Sequence, residues 1–140
     1  MAVFNDALID KLIPLAQSDP HIDILWLYGS QAKGLAHTAS DIDLAVAFNT
    51  SLKDPLDRRL RPELLALAWC EQLGVMSEKV SIVDINNTPL PLQHAILRTG
   101  KALYIKSPLR LAKEENRISS MWELDYLYYQ QRDKRNIDLG

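Results

Sequence analysis

The sequence predicts an α/β domain, in which a small mixed β-sheet of about four strands is flanked by helices and followed by a long C-terminal helix. Four short runs rich in Val, Ile and Leu predict strands near residues 22–28, 41–48, 79–85 and 102–106. Longer stretches between them repeat their apolar residues at helical spacing. Gly and Pro stand at most of the junctions, as is typical of separate short elements.

Helices are predicted over residues 3–18, 62–73, 90–99 and 108–132. Pro14 should kink or shorten the first, because proline removes a helical hydrogen bond. Pro62 fits the first turn of the second helix, which leaves the polar run 49–61 as a loop with a partial helix. Gly74 and Gly100 follow the second and third helices and are expected to end them.

Bulk composition excludes several classes of protein. At 140 residues the chain is expected to form a single domain. The net charge is −2 and no basic stripe with interleaved aromatic residues occurs, so we expect no direct binding to nucleic acid. Cys70 is the single cysteine, which excludes an internal disulfide and predicts a buried structural thiol.

No feature of the sequence predicts a membrane or an export signal. The chain contains no run of 18 or more apolar residues, the length that a spanning helix needs. The opening "MAVFNDALIDKL" lacks the basic region of a signal peptide. We therefore expect a cytoplasmic protein without a membrane partner.

The stretch "LYGSQAKGLAHTASDIDLAV" carries the candidate chemistry. Alternation along a strand places Asp41 and Asp43 on one face, where two like charges repel unless a cation relieves them. Hard oxygen ligands favour Mg²⁺, which commonly leaves open positions for substrate phosphates. Gly29, Ser30 and Lys33 form a turn suited to holding a triphosphate. A bound triphosphate beside a metal describes nucleotidyl transfer, although an exposed strand start after a turn is the simpler alternative.

The segment "GSQAKGLAHTASDID" resembles the signature of the DNA polymerase β-type nucleotidyltransferase superfamily. The continuation "VDINNTPLPLQHAILRTGKALYIK" is similar to the minimal nucleotidyltransferase (MNT) antitoxins of HEPN/MNT toxin–antitoxin systems. The resemblance implies that residues 1–107 form the minimal nucleotidyltransferase domain, with 108–140 as a helical extension packed on it or on a partner. It also implies that the protein uses ATP and Mg²⁺ to transfer AMP to a tyrosine of a cognate HEPN ribonuclease toxin, which silences the toxin.

The resemblance further implies a third carboxylate on the strand that follows the second helix. In "KVSIVDI" the aligned position is Ser81, and Asp84 lies three residues further on. Strand parity puts residue 84 on the opposite face from 81, unless a bulge brings it to the metal. Asp84 is therefore predicted either as a third catalytic and metal-binding carboxylate, with Asp41 and Asp43, or as a cap of the turn at Asn86 and Asn87.

Two other functions remain open from the sequence. The protein could neutralise its toxin by binding alone, with a decayed nucleotide site, as Ser81 suggests. It could instead modify a small molecule of the antibiotic type.

Two groups of residues allow a structural and a functional interpretation. Arg58, Arg59 and Arg61 form either a solvated face or a contact with an acidic partner or the nucleotide. Trp122, Tyr126 and Tyr129 share a helix face that packs on the core or on a partner.

His21, His37 and His94 are expected to be surface or packing residues.

Overall fold

The structure, a computed structural model, describes the backbone of residues 3–29 and 41–139 and the side chains of residues 7–29 and 41–132. Its elements in chain order are α1 Val3–Gln17, β1 Ile22–Tyr28, β2 Ile42–Phe48, α2 Pro55–Leu73, β3 Val80–Asp84, a 3₁₀ turn Ile85–Asn87, α3 Leu90–Thr99, β4 Lys101–Ile105 and α4 Pro108–Leu139. The predicted α/β class and its long last helix are confirmed.

One mixed sheet of four strands, in the order β3-β2-β1-β4, organises the molecule. β1 pairs antiparallel with β2 and with β4, whereas β2 and β3 run parallel. The parallel pair is possible because α2 provides the crossover between β2 and β3. β2 therefore lies inside the sheet, and β3 forms one of its edges.

Helices cover both faces of the sheet. On one face, Ile42 and Leu44 of β2 are fully buried in a cluster that includes Leu12 of α1 and Trp69 of α2. On the other face, Trp26 of β1 packs in a cluster with residues of α3 and α4. Buried side chains thus alternate between the two clusters along the inner strands, and Trp26 is a core residue.

The second helix begins earlier than the sequence predicts. α2 starts at Pro55, which occupies the first helical turn, and the Asp54 side chain caps it by accepting a hydrogen bond from the Leu56 amide at 2.8 Å. Pro62 lies inside the helix and is buried, so its assignment to the first turn is wrong. Gly74 ends the helix at φ +69, as predicted.

Pro14 does not shorten α1, which continues to Gln17. Cys70 is a buried free thiol, as predicted. Within the described residues, no helix is both long enough and apolar enough to cross a membrane.

A polar network fixes the first half of α4 to the sheet. Glu114, which is 6% exposed, accepts hydrogen bonds from Arg110 at 2.9 Å and from Arg117 at 2.6 Å. Arg110 also donates to the carbonyl of Phe48 at 2.9 Å and pairs with Asp23 at 3.5 Å. Burial alone would raise the pKa of Glu114, but the hydrogen bonds from Arg117, Asn86 and Arg110 outweigh it and lower that pKa.

The aromatic face of α4 is divided. Trp122 stacks on His94 of α3 with ring centroids 4.1 Å apart, which confirms a packing role for His94. Beyond Trp122, Tyr126 and Tyr129 are more than half exposed. The distal half of α4 therefore does not pack on the described core.

Candidate active site

The aspartate pair lies at the start of β2. Asp41 is exposed and immediately precedes the strand, while Asp43 is half-buried within it. Ile42 and Leu44 point to the opposite face and are fully buried beneath α1 and α2. The predicted alternation is confirmed, and it leaves both carboxylates on the face that the α1–α2 core does not fill.

Gly29 holds the end of β1 directly against Asp43. Its φ of +74 lies in the left-handed region, and a Cβ added there would lie 2.8 Å from Asp43 Oδ2. Tyr28, the preceding residue, is the register partner of Asp43. Gly29 is therefore required both for the turn and for the space that the Asp43 carboxylate occupies.

Ser30 and Lys33, which the sequence assigns to the phosphates, lie outside the described residues, as does His37. Their predicted roles stay predictions. Of the three residues that the sequence assigns to this turn, the structure describes Gly29.

Negative charge is concentrated at this site. Burial raises the pKa of Asp43, and the neighbouring charge of Asp41 raises that pKa further. Burial and the charge of Asp43 likewise raise the pKa of Tyr28. Both shifts mean that negative charge at this site costs free energy. A bound cation would offset that cost.

The residue beside Asp43 on β3 is Ser81. The parallel register of β2 and β3 pairs Asp43 with Ser81, and it continues without a shift to Val46 and Asp84. The resemblance implies a third carboxylate on β3. At the position beside Asp43, β3 instead carries the hydroxyl of Ser81.

Asp84 is not brought to the aspartate pair, because β3 has no bulge that would turn it over. Its carboxylate accepts hydrogen bonds from the Asn86 amide at 2.9 Å and from the Asn87 side chain at 3.3 Å. Burial raises its pKa, against the opposing effects of the Asn86 hydrogen bond and of Arg61 and Arg110. The geometry is that of the turn cap, which is one of the two predicted roles of Asp84, and its role as a third metal ligand stays a prediction.

Within the described ranges, no group of three or more His, Cys, Asp and Glu side chains is arranged to hold a metal ion. Asp41 and Asp43 are the carboxylates that the start of β2 offers to a cation. Two carboxylates with open positions for phosphate oxygens are a usual arrangement for Mg²⁺.

A cavity of about 470 Å³ adjoins both aspartates. Sequence reasoning missed two further carboxylates in its lining, Glu63 from α2 and Glu78 from the segment before β3. Neither belongs to a local motif with the aspartates: Glu63 reaches the cavity through the packing of α2 beside β3, and Glu78 reaches it because β3 pairs with β2. Arg61 is also clarified: it donates to the Thr50 carbonyl at 2.9 Å and lies 4.0 Å over the Phe48 ring, so it serves the fold.

Comparison with known proteins places this geometry in a family. Residues 10–109 match the family described as "Polymerase beta, Nucleotidyltransferase". Protein adenylyltransferase MntA of Shewanella oneidensis is 30% identical over 104 residues, which cover 74% of this chain and 68% of that protein.

Solved structures share the fold over nearly the whole chain. A crystal structure of a toxin–antitoxin with AMP-PNP aligns at TM-score 0.65 and 24% identity, covering 97% of this chain and 99% of that one. A rebuilt structure of tri-AMPylated Shewanella oneidensis HEPN toxin in complex with MNT antitoxin aligns at TM-score 0.63 and 20% identity, covering 96% and 98%.

The resemblance detected in the sequence is thereby confirmed. The family match includes Gly29, both aspartates and all four strands. The chain belongs to the polymerase beta-type nucleotidyltransferase family, in which it is a homologue of protein adenylyltransferase MntA.

Proposed function

We propose that this protein transfers AMP from ATP to a tyrosine of a cognate HEPN toxin and so neutralises it. The placement of Asp41 and Asp43 against Gly29, in a chain homologous to a protein adenylyltransferase, carries the proposal. The tyrosine oxygen forms a bond to the α-phosphorus of ATP, and the bond from that phosphorus to the bridging oxygen breaks. Pyrophosphate leaves, and the tyrosine proton passes to a base or to water.

Mg²⁺ is the cofactor that the site fits. Asp41 and Asp43 would hold it, because the two carboxylates lie together at the start of β2 and line one cavity, and because the pKa of Asp43 is raised. When bound, Mg²⁺ neutralises charge on the phosphates, which is much of what such transfers require. Gly29, together with Ser30 and Lys33 of the same turn, is proposed to orient the triphosphate.

The acceptor must enter from outside. The cavity at the aspartates has a volume of about 470 Å³ and is open to the surface. A partner protein that brings its own hydroxyl to this opening fits the architecture. Ser81 occupies the position where the resemblance implies the carboxylate that acts as the general base. Glu63 and Glu78 line the same cavity, and their carboxylates are able to accept the tyrosine proton instead.

The test is intact-mass spectrometry of the cognate toxin after incubation with this protein, ATP and Mg²⁺. The wild type is compared with the double variant Asp41→Asn, Asp43→Asn and with Asp125→Asn, a control on the exposed part of α4. Wild type and control should add one or more AMP masses, and the double variant should add none. If no variant adds AMP and all bind the toxin equally, the protein neutralises by binding alone.

A small-molecule nucleotidyltransferase is the remaining alternative. It predicts AMP transfer to a low-molecular-weight acceptor when no partner protein is present. The open cavity and the MntA relative favour the protein acceptor.

A further inference from the structure

The outer edge of β3 is exposed as a potential docking strand. β3 ends the sheet and pairs with β2 along one side only, within the described part of the chain. Ser81 on this strand is exposed, and Val83 is half-buried. An edge strand with accessible backbone groups is able to pair with an extended segment of another chain.

A groove follows this edge between β3 and α2. The cavity at Asp41 and Asp43 adjoins a second cavity of about 400 Å³ that is lined by the far end of β3. Ile82 and Glu63 line both cavities, so the two cavities are neighbours along the strand. One end of the groove therefore opens on the proposed reaction centre.

The other end of the groove presents two arginines, and the carboxylates of Glu63 and Asp84 also line it. Arg58 and Arg59 of α2 line the second cavity and are exposed. Among the described residues, neither guanidinium takes part in an ion pair, whereas Arg61 is bonded to Thr50. Two such arginines are suited to a carboxylate, which they can bind through paired hydrogen bonds.

Asp84 also lines this end of the groove, but its carboxylate is occupied by Asn86 and Asn87. The distance along the groove follows from the strand. Ser81 marks the aspartate end and Asp84 the arginine end, so three residues of extended chain separate them, roughly 10 Å.

We propose that an extended segment of the acceptor protein lies along β3 in this groove. Its hydroxyl residue reaches Asp41 and Asp43, and an Asp or Glu about three residues away binds Arg58 and Arg59. This inference rests on the proposed function and adds to it a surface and a sequence requirement for the acceptor. The carboxylates at Asp41 and Asp43 would repel an acidic residue, whereas Arg58 and Arg59 would attract it, so the arginines also set the direction of the segment.

The test compares the wild type, the double variant Arg58→Gln, Arg59→Gln and the control Arg98→Gln, an exposed arginine on α3. The KM for the toxin in AMP transfer and the Kd of the complex are both measured. Loss of two surface charge contacts should raise both values about tenfold in the double variant and leave the control unchanged. The rise in melting temperature caused by ATP and Mg²⁺ should match that of the wild type, which shows that the nucleotide end is intact.

The outcomes separate this inference from the proposed function. If the wild type transfers no AMP, the proposed function fails, but a selective rise in Kd for the double variant still supports the groove. Equal KM and Kd values in all three proteins overturn the groove. Normal addition of the first AMP with loss of later additions also overturns it, because the arginines would then bind phosphates of the product.

Discussion

Gly29 and Gly74 show how two residues of the same type and the same backbone conformation serve different purposes. Both have φ near +70, but a Cβ at Gly29 would meet the Asp43 carboxylate, whereas a Cβ at Gly74 would meet nothing within 4 Å. Gly74 is a helix end, and Gly29 is part of the candidate site. The sequence shows two glycines after apolar runs, and only the structure distinguishes them.

Gly29→Ala should therefore lower the rate of AMP transfer by about a hundredfold, because the new methyl group displaces the Asp43 carboxylate. Gly74→Ala is the matched control: it should cost about 1 kcal/mol of stability and retain transfer. Transfer rates and melting temperatures of both variants provide the measurement. Equal transfer by the two variants would show that contact with Asp43 is irrelevant.

Asp43→Asn should raise the melting temperature by a few degrees at neutral pH, without ATP or Mg²⁺. The pKa of Asp43 is raised in the folded state, so its ionisation destabilises the fold as pH rises above the unfolded value. Below about pH 4 the carboxyl is protonated in both states, and the advantage of Asn should disappear. Thermal melts between about pH 3 and pH 8, a range that includes the usual Asp pKa, measure this difference in melting temperature. If the variant were less stable than the wild type at neutral pH, the ionised Asp43 carboxylate would not destabilise the fold.

At the scale of elements, local patterns predict the strands well and the start of α2 poorly. The pattern predicts β1 at its observed bounds, because its apolar run ends at a Gly. For α2 the sequence offers two prolines, and the local pattern favours Pro62 as the start. The earlier Asp54–Pro55 pair begins the helix, and contacts of Arg61 with Thr50 and Phe48 stabilise its first turns. Such tertiary contacts are not visible in a local pattern.

The register of β3 predicts that Asp84 is dispensable for chemistry. Asp84→Asn keeps the hydrogen-bonding oxygen of the turn cap, so AMP transfer at saturating toxin should remain within about twofold of the wild type. Asp43→Asn, measured in parallel, should lose transfer by about a thousandfold. A comparable loss in both variants would restore Asp84 to the metal site.

The attachment of α4 depends on Glu114. Glu114→Ala would leave Arg110 and Arg117 without their buried carboxylate and should cost about 3 kcal/mol, whereas Glu115→Ala, at an exposed neighbour, should cost little. Because the pKa of Glu114 is lowered in the fold, its contribution is present above the unfolded value and is lost as pH falls through the folded value. Denaturant melts at neutral and acidic pH measure both effects. Equal destabilisation by the two variants would show that the network does not fix α4.

At the scale of the whole molecule, one sheet between two helical layers leaves its aspartates at an open surface. The aspartate pair was predictable because Gly-Ser and Asp-x-Asp are local in sequence. The cavity around it was not, since Glu63, Leu67 and Ser81 come together only when α2 packs beside β3. The residues proposed to bind the nucleotide thus lie in one segment of the sequence. The cavity proposed to receive the acceptor forms only in the assembled fold.

The central claim is that modification, and not binding, silences the toxin. The most direct measurement treats the toxin with this protein, ATP and Mg²⁺, separates the two proteins, and then measures the mass and ribonuclease activity of the isolated toxin. The account predicts a toxin that carries AMP and stays inactive after separation, while the Asp41→Asn, Asp43→Asn variant yields unmodified, active toxin. A toxin that recovers full activity once the wild-type protein is removed would contradict the account.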